Sequence, residues 1–192
     1  GLMNQDRDGN LVPGVATGFT TNESKDVYTF TLRDTAKWSN GDPVLASDFV
    51  YAWKRAVNPE LSSPYSWFME LMSIENAAAI IAGEKPVDEL GVTAIDDHTL
   101  EVRLSAALPY FPQMTTHATT FPAPQKVIEM HGDAWTKPEN IVSNGAYVLA
   151  EHLPQERSVR VRNANYWDNE NTIVEKVVAL VINDENVALT RY

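Results

Sequence analysis

Cysteine is absent from the 192-residue chain. This excludes disulfide scaffolds, thiolate zinc sites and cysteine nucleophiles, while leaving the compartment open. Long apolar runs are missing too. Val177 to Ile182 is as long as any, and far short of the ~20 residues a membrane helix needs. Positive charge is scarce: Lys and Arg number 15 against 26 Asp and Glu, a net charge of −11. A nucleic-acid binder wants a basic face, so nucleic acid is not an expected partner. The same balance argues against adhesion to an anionic bilayer. It favours solubility and a monomer without naming a ligand.

The usual marks of catalysis are also lacking. The histidines are His98, His117, His131 and His152. No two of them sit three or four residues apart, and no HExxH occurs, so they read as surface or turn residues and no metal is expected. There is no GxSxG nucleophile elbow. There is no phosphate-binding glycine motif either; Gly9, Gly14 and Gly18 are wrongly spaced and precede the first clear strand. Asp96-Asp97-His98 has the residue types of acid–base work, but it directly precedes an alternating strand and reads as a turn. Asn22-Glu23-Ser24 matches a glycosylation sequon, a pattern that also arises by chance. Carboxylates paired in space stay open. No catalytic residue and no cofactor is assigned.

What remains is ordinary for a folded protein: 44% hydrophobic and 21% charged residues. A chain this long buries roughly 70% of its unfolded surface. Tyr28, Phe30 and Leu32 alternate with Thr29, Thr31 and Arg33, predicting a half-buried strand. Asn40-Gly41 and Asp42-Pro43 then form a turn. A helix is predicted from Ser47 or Asp48, with Ser47 as its N-cap, and Asn58-Pro59 ends it. Further helices are expected from Ser63-Pro64-Tyr65 onward, from Glu75 to Ala82, over Pro109 to His117 and over Lys126 to His131. Strands are expected at Thr99–Leu104, Ala146–Glu151, Ser158–Arg162 and Lys176–Ile182. The last is apolar on both alternations, which predicts burial on both faces. The fold class is therefore mixed α/β. Phe121-Pro122-Ala123-Pro124 is the candidate boundary, separating residues 1–124 from a strand-rich 125–192. Most aromatics should be core, and a minority are available to line a groove.

The order of segments resembles the bacterial family 5 extracellular solute-binding proteins, and within them the oligopeptide-binding branch. Leu11-Val12-Pro13-Gly14-Val15-Ala16 comes first, then Tyr28-Thr29-Phe30-Thr31-Leu32-Arg33 and Ala36-Lys37-Trp38-Ser39-Asn40-Gly41-Asp42-Pro43-Val44. Ala46, Asp48 and Phe49 follow, then Ser63-Pro64-Tyr65, Leu90-Gly91-Val92 and Ala94 to Val102. Pro109-Tyr110-Phe111, Asn140 to Tyr147 and Asn165-Tyr166-Trp167 complete the series. Each block alone is weak; their ordered succession over nearly the whole chain is specific.

The resemblance implies a two-lobed clamp of the type II periplasmic-binding-protein kind, with an extra lobe inserted in the first. Residues 1–124 would be that extra lobe and 125–192 part of the first ligand-binding lobe. The chain opens at Gly1-Leu2-Met3 and stops at Ala188-Leu189-Thr190-Arg191-Tyr192 in what reads as a starting helix. Both ends are expected to be cut, with the second binding lobe missing. The implied activity is capture of oligopeptides for the membrane subunits of an ABC importer. The implied location is the periplasm, or a lipid anchor at the outer face of the membrane. Receptors of the same family for a murein peptide, a dipeptide, a nickel complex or an oligosaccharide stay open, as does an envelope chaperone. The resemblance makes Tyr65 the one ligand-contact candidate, against a plain packing role at a helix start. Trp38, Asn40, Gly41, Asp48, Asn144 and Gly145 carry the resemblance but read as structural.

Overall fold

A computed structural model describes residues 1–191. They form two compact units, one of residues 1–36 and 43–125, the other of residues 37–42 and 126 onward. The short Trp-Ser-Asn-Gly segment thus belongs with the later unit although it lies early in the chain.

The first unit begins with a hairpin of β1 (Met3–Gln5) and β2 (Leu11–Pro13). Next come β3 (Ala16–Thr21) and β4 (Val27–Leu32), and later β5 (Val92–Asp96) and β6 (Thr99–Arg103). These four make an antiparallel sheet in the order β3-β4-β6-β5. The alternation read in β4 is realised: Tyr28, Phe30 and Leu32 are buried. They oppose the buried Val102 and Leu100 of β6, in the register Tyr28↔Val102 and Phe30↔Leu100. β3 and β5 escape the sequence reading. β3 is an edge strand of Ala, Thr, Gly and Phe, largely exposed, so its pattern carries little apolar signal.

Helices pack on this sheet. α1 (Ala46–Val57) buries Ala46, Phe49, Ala52, Trp53 and Val57, a stripe at helical spacing. Full burial of side chains such as Phe49 contributes about 1.5–3 kcal/mol each. The helix starts earlier than predicted and Ser47 is not its cap. Leu45 holds the extended N-cap position, and its backbone N–H donates to the Asp48 carboxylate at 3.0 Å. Asp48 supplies an acceptor and a negative charge in the first turn, which Ser47 cannot match. α2 (Ser66–Leu71), α3 (Ala77–Ile81) and α4 (Phe111–Met114) are short. Phe111 of α4 lies with its ring centroid 4.9 Å from that of Tyr28, and the Tyr28 hydroxyl donates to Leu108 O at 2.9 Å.

The second unit has α5 (Gln125–His131), continued by a 3₁₀ turn over Gly132–Thr136. A three-stranded antiparallel sheet follows: β7 (Tyr147–Leu153), β8 (Arg157–Arg162) and β9 (Lys176–Leu180), in that order. The chain then enters α6 (Glu185–Arg191). The expected burial of β9 on both faces is overturned. Val178 and Leu180 are about half exposed, at 48% and 50%. β9 is an edge strand whose only ladder partner among the described residues is β8. Its apolar character is real, but cover for it does not come from the described residues.

Candidate functional site

The turn before α2 positions Tyr65. Ser62 takes a left-handed conformation, with φ +53°, and Pro64 stiffens the next step. Tyr65 then occupies the N-cap position of α2, where its carbonyl accepts from the Phe68 N–H at 3.0 Å. From this position the helix turns Phe68 and Met69 into the core and leaves Trp67 and Leu71 outward. Tyr65 is 50% exposed and Trp67 52%. Their ring centroids lie 6.1 Å apart.

His117 joins them from far along the chain. Its ring stacks on Phe68, with centroids 4.1 Å apart and an interplanar angle of 23°, and its centroid is 5.7 Å from that of Tyr65. His117 Nδ1 accepts from the Thr119 N–H at 3.2 Å. In the neutral ring this leaves the proton on Nε2 as a donor. The loop carrying His117 is fixed from below. The buried Thr120 hydroxyl lies 2.8 Å from His117 O, and the buried Trp53 of α1 donates its indole N–H to Thr120 O at 2.9 Å. A rigid core thus supports a half-exposed aromatic surface of Tyr65, Trp67 and His117. Such a surface offers ring faces and a few donors, which suits non-covalent binding.

Tyr65 was reachable from the sequence through its Ser-Pro-Tyr motif. His117 was not, because nothing in local spacing links it to Tyr65. Trp67 stood only among the aromatics at large.

The other marked residues take structural roles. Asn40 and Asp42 close a turn by two mutual hydrogen bonds, of 2.9 and 3.1 Å. Gly41 at its centre has φ +94°, a conformation that favours glycine. Ser39 N–H donates to Ser143 O at 2.8 Å, and Ser143 N–H donates to Ser39 Oγ at 3.1 Å. The buried Asn163 donates to Gly145 O at 2.9 Å and accepts from the Asn165 N–H at 3.0 Å. Asn165 Nδ2 in turn donates to Ser39 O at 2.9 Å. This network stitches the 37–42 segment, the Ser143-Asn144-Gly145 loop and the end of β8 into one unit. Trp38 is buried beside it in the chain.

Asp96-Asp97-His98 is the hairpin turn joining β5 to β6. The Asp96 carboxylate accepts from the His98 N–H at 2.8 Å. That bond, helped by Thr99, holds its carboxyl below the usual carboxylate range. The Asn22 amide of the sequon is engaged in its own turn, donating to Ser24 Oγ and Asp26 Oδ1. Among the described residues no group of three or more acidic or histidine side chains is placed to hold a metal ion. No helix among them is long and apolar enough to cross a membrane.

Comparison with known proteins places this geometry. The chain is 49% identical over 192 residues to the periplasmic murein peptide-binding protein MppA of Escherichia coli K12. It is 46% identical to the periplasmic oligopeptide-binding protein OppA of Salmonella typhimurium. Both alignments cover the whole chain and 35% of the relative. The solved structure of the Escherichia coli murein tripeptide binding protein MppA superposes with a TM-score of 0.97 at 48% identity. Haemophilus influenzae OppA in complex with the peptide RPPGFSPFR gives 0.97 at 44%. Each is matched over all of this chain and 37% of its own length. The chain therefore spans about a third of the length of these relatives. It is a mixed α/β portion of the type II periplasmic-binding-protein fold. Residues 10–192 match the family described as bacterial extracellular solute-binding proteins, family 5 Middle. Carried by that match across almost its whole length, the chain belongs to the family 5 bacterial extracellular solute-binding proteins.

Proposed function

We propose that this chain is part of an oligopeptide receptor that serves an ABC importer in the periplasm or at the outer face of the cell membrane. The observation that carries the reading is the superposition, over the whole chain, on a relative solved with a peptide bound. In this reading residues 1–124 form the extra lobe and 125–192 part of the first binding lobe. The break between units after Gln125 supports that division, except for residues 37–42, which belong with the later unit. The remaining lobe would come from chain outside these residues.

The work required is binding alone. A receptor for many peptides must grip the backbone and treat side chains loosely. An extended peptide supplies main-chain hydrogen bonds whatever its sequence, and water fills roomy side-chain pockets at little enthalpic loss. Lobe closure through a hinge then buries the ligand. No bond is made or broken, so no nucleophile, cofactor or metal is assigned. The receptor acts as a monomer, and its partners are the peptide and the importer's membrane subunits. Tyr65 contacts the peptide from the rim of the extra lobe.

Calorimetric titration of tri- to pentapeptides into the full-length receptor tests this. Tight binding is expected, with none to residues 1–192 alone. Tyr65→Ala should weaken binding about tenfold, the scale of an aromatic contact residue. Failure of every peptide to bind would sink the oligopeptide reading. A second reading is favoured by the 49% identity to MppA: a receptor for murein peptides. Preference for a murein tripeptide over ordinary tripeptides of equal length would select it.

A further inference from the structure

The aromatic surface carries a charge asymmetry of its own. α2, which carries Trp67, contains Glu70 but no lysine or arginine. Glu70 is exposed and forms no ion pair among the described residues. Glu70 lies three residues from Trp67 on α2, which makes the two side chains neighbours on the helix surface. The same chain buries Trp38 and Trp53 to 5% and 0% exposure, yet leaves Trp67 at 52% beside Tyr65 at 50%.

An aromatic ring attracts a cation to its face when the cation sits within about 6 Å of the centroid, and indole does so best. An unpaired carboxylate alongside strengthens that preference. We propose that Trp67 and Tyr65, with Glu70 beside them, form a subsite for a positively charged side chain, lysine or arginine, of the bound peptide. The inference rests on the peptide-receptor reading and deepens it by naming the side-chain chemistry. Tyr65 supplies a second ring at 6.1 Å from the first, so an aliphatic stem can lie along one ring while its charged end meets the other. His117 stacks on Phe68 behind Tyr65 and holds that wall in place.

The test compares tripeptides that differ only in charge, with lysine or norleucine at each position in turn and alanine elsewhere, titrated into the full-length receptor. At one position lysine should bind about five- to thirtyfold more tightly than norleucine. Trp67→Leu keeps apolar bulk but removes the ring, and should collapse that ratio below about twofold. Trp67→Phe keeps a ring and should preserve much of it. Continued binding of the norleucine peptide by Trp67→Leu shows that the variant is folded. Peptides that bind with no lysine preference, or a preference indifferent to Trp67→Leu, would overturn the subsite and leave the receptor standing. If no peptide of either kind binds, the receptor reading fails and the subsite with it.

Discussion

Two side chains show how much single residues decide here. Asn163 is 3% exposed, and its amide joins Ser143 O, Gly145 O and the Asn165 N–H. Removing a buried hydrogen-bonding group leaves its partners unsatisfied, at about 1–3 kcal/mol. Asn163→Ala should lower the urea-unfolding free energy by that amount. Asn163→Asp should cost at least as much, because a carboxylate would face two carbonyls. Equal stability of both variants and wild type would show the network to be ornamental. Asp96 offers a pH-dependent counterpart. Its carboxyl is held below the usual range by the His98 N–H. A carboxylate with a depressed folded pKa stabilises above the unfolded value near 3.9, and that stabilisation is lost as pH falls through the folded value. Asp96→Asn keeps the turn acceptor without titrating. The stability gap between wild type and Asp96→Asn should therefore hold near neutrality and close below about pH 4, as thermal melts across the acid range would report.

At the scale of elements, the sequence was most legible where local chemistry and burial agree. β4 was visible because Tyr28, Phe30 and Leu32 alternate and are buried. The Asn40–Asp42 turn was visible because Gly41 needs its positive φ. The start of α1 was misplaced because Ser47 looks like a cap, whereas Asp48 reaches back to the Leu45 N–H. β9 was misjudged because an apolar pattern reports how a strand would be covered and says nothing of where the cover comes from. The candidate site was half legible. Ser63-Pro64-Tyr65 has a motif, but the partnership of Tyr65 with His117 is set by the packing of Trp53 under Thr120, which no local pattern encodes. The α1 capping is testable. Asp48→Ala should destabilise the first unit by about 0.5–2 kcal/mol. Ser47→Ala should change stability by less than about 0.5 kcal/mol. Chemical denaturation distinguishes the two, and the reverse ranking would restore Ser47 as the cap.

Across the whole molecule the two units are unequal. The buried apolar side chains lie overwhelmingly in the first unit. Among the described residues, those of the second are Trp38, Ile128 and Val159. It instead exposes Val178 and Leu180 of β9 and the following Val181 at about half, and Ile173 in the loop before β9 at 89%. Backbone protection follows buried contact density, because local opening is cheap where few apolar contacts must break. In residues 1–192, β4 and β6 sit in the middle of a four-stranded sheet covered by α1, while β9 is an edge with an uncovered face. Native-state hydrogen exchange should therefore protect the amides of β4 and β6 most strongly and those of β9 least among the strands, by factors of at least about a hundred. Unfolding should begin in the second unit, so probes in the two units give non-coincident urea transitions. On the proposed receptor reading, chain outside these residues covers the exposed apolar strand, and in the full-length protein the protection of β9 should rise towards that of β4. Equal protection of β9 in both settings would mean that the second unit is stable by itself, and that its apolar surface makes no contact with chain outside residues 1–192.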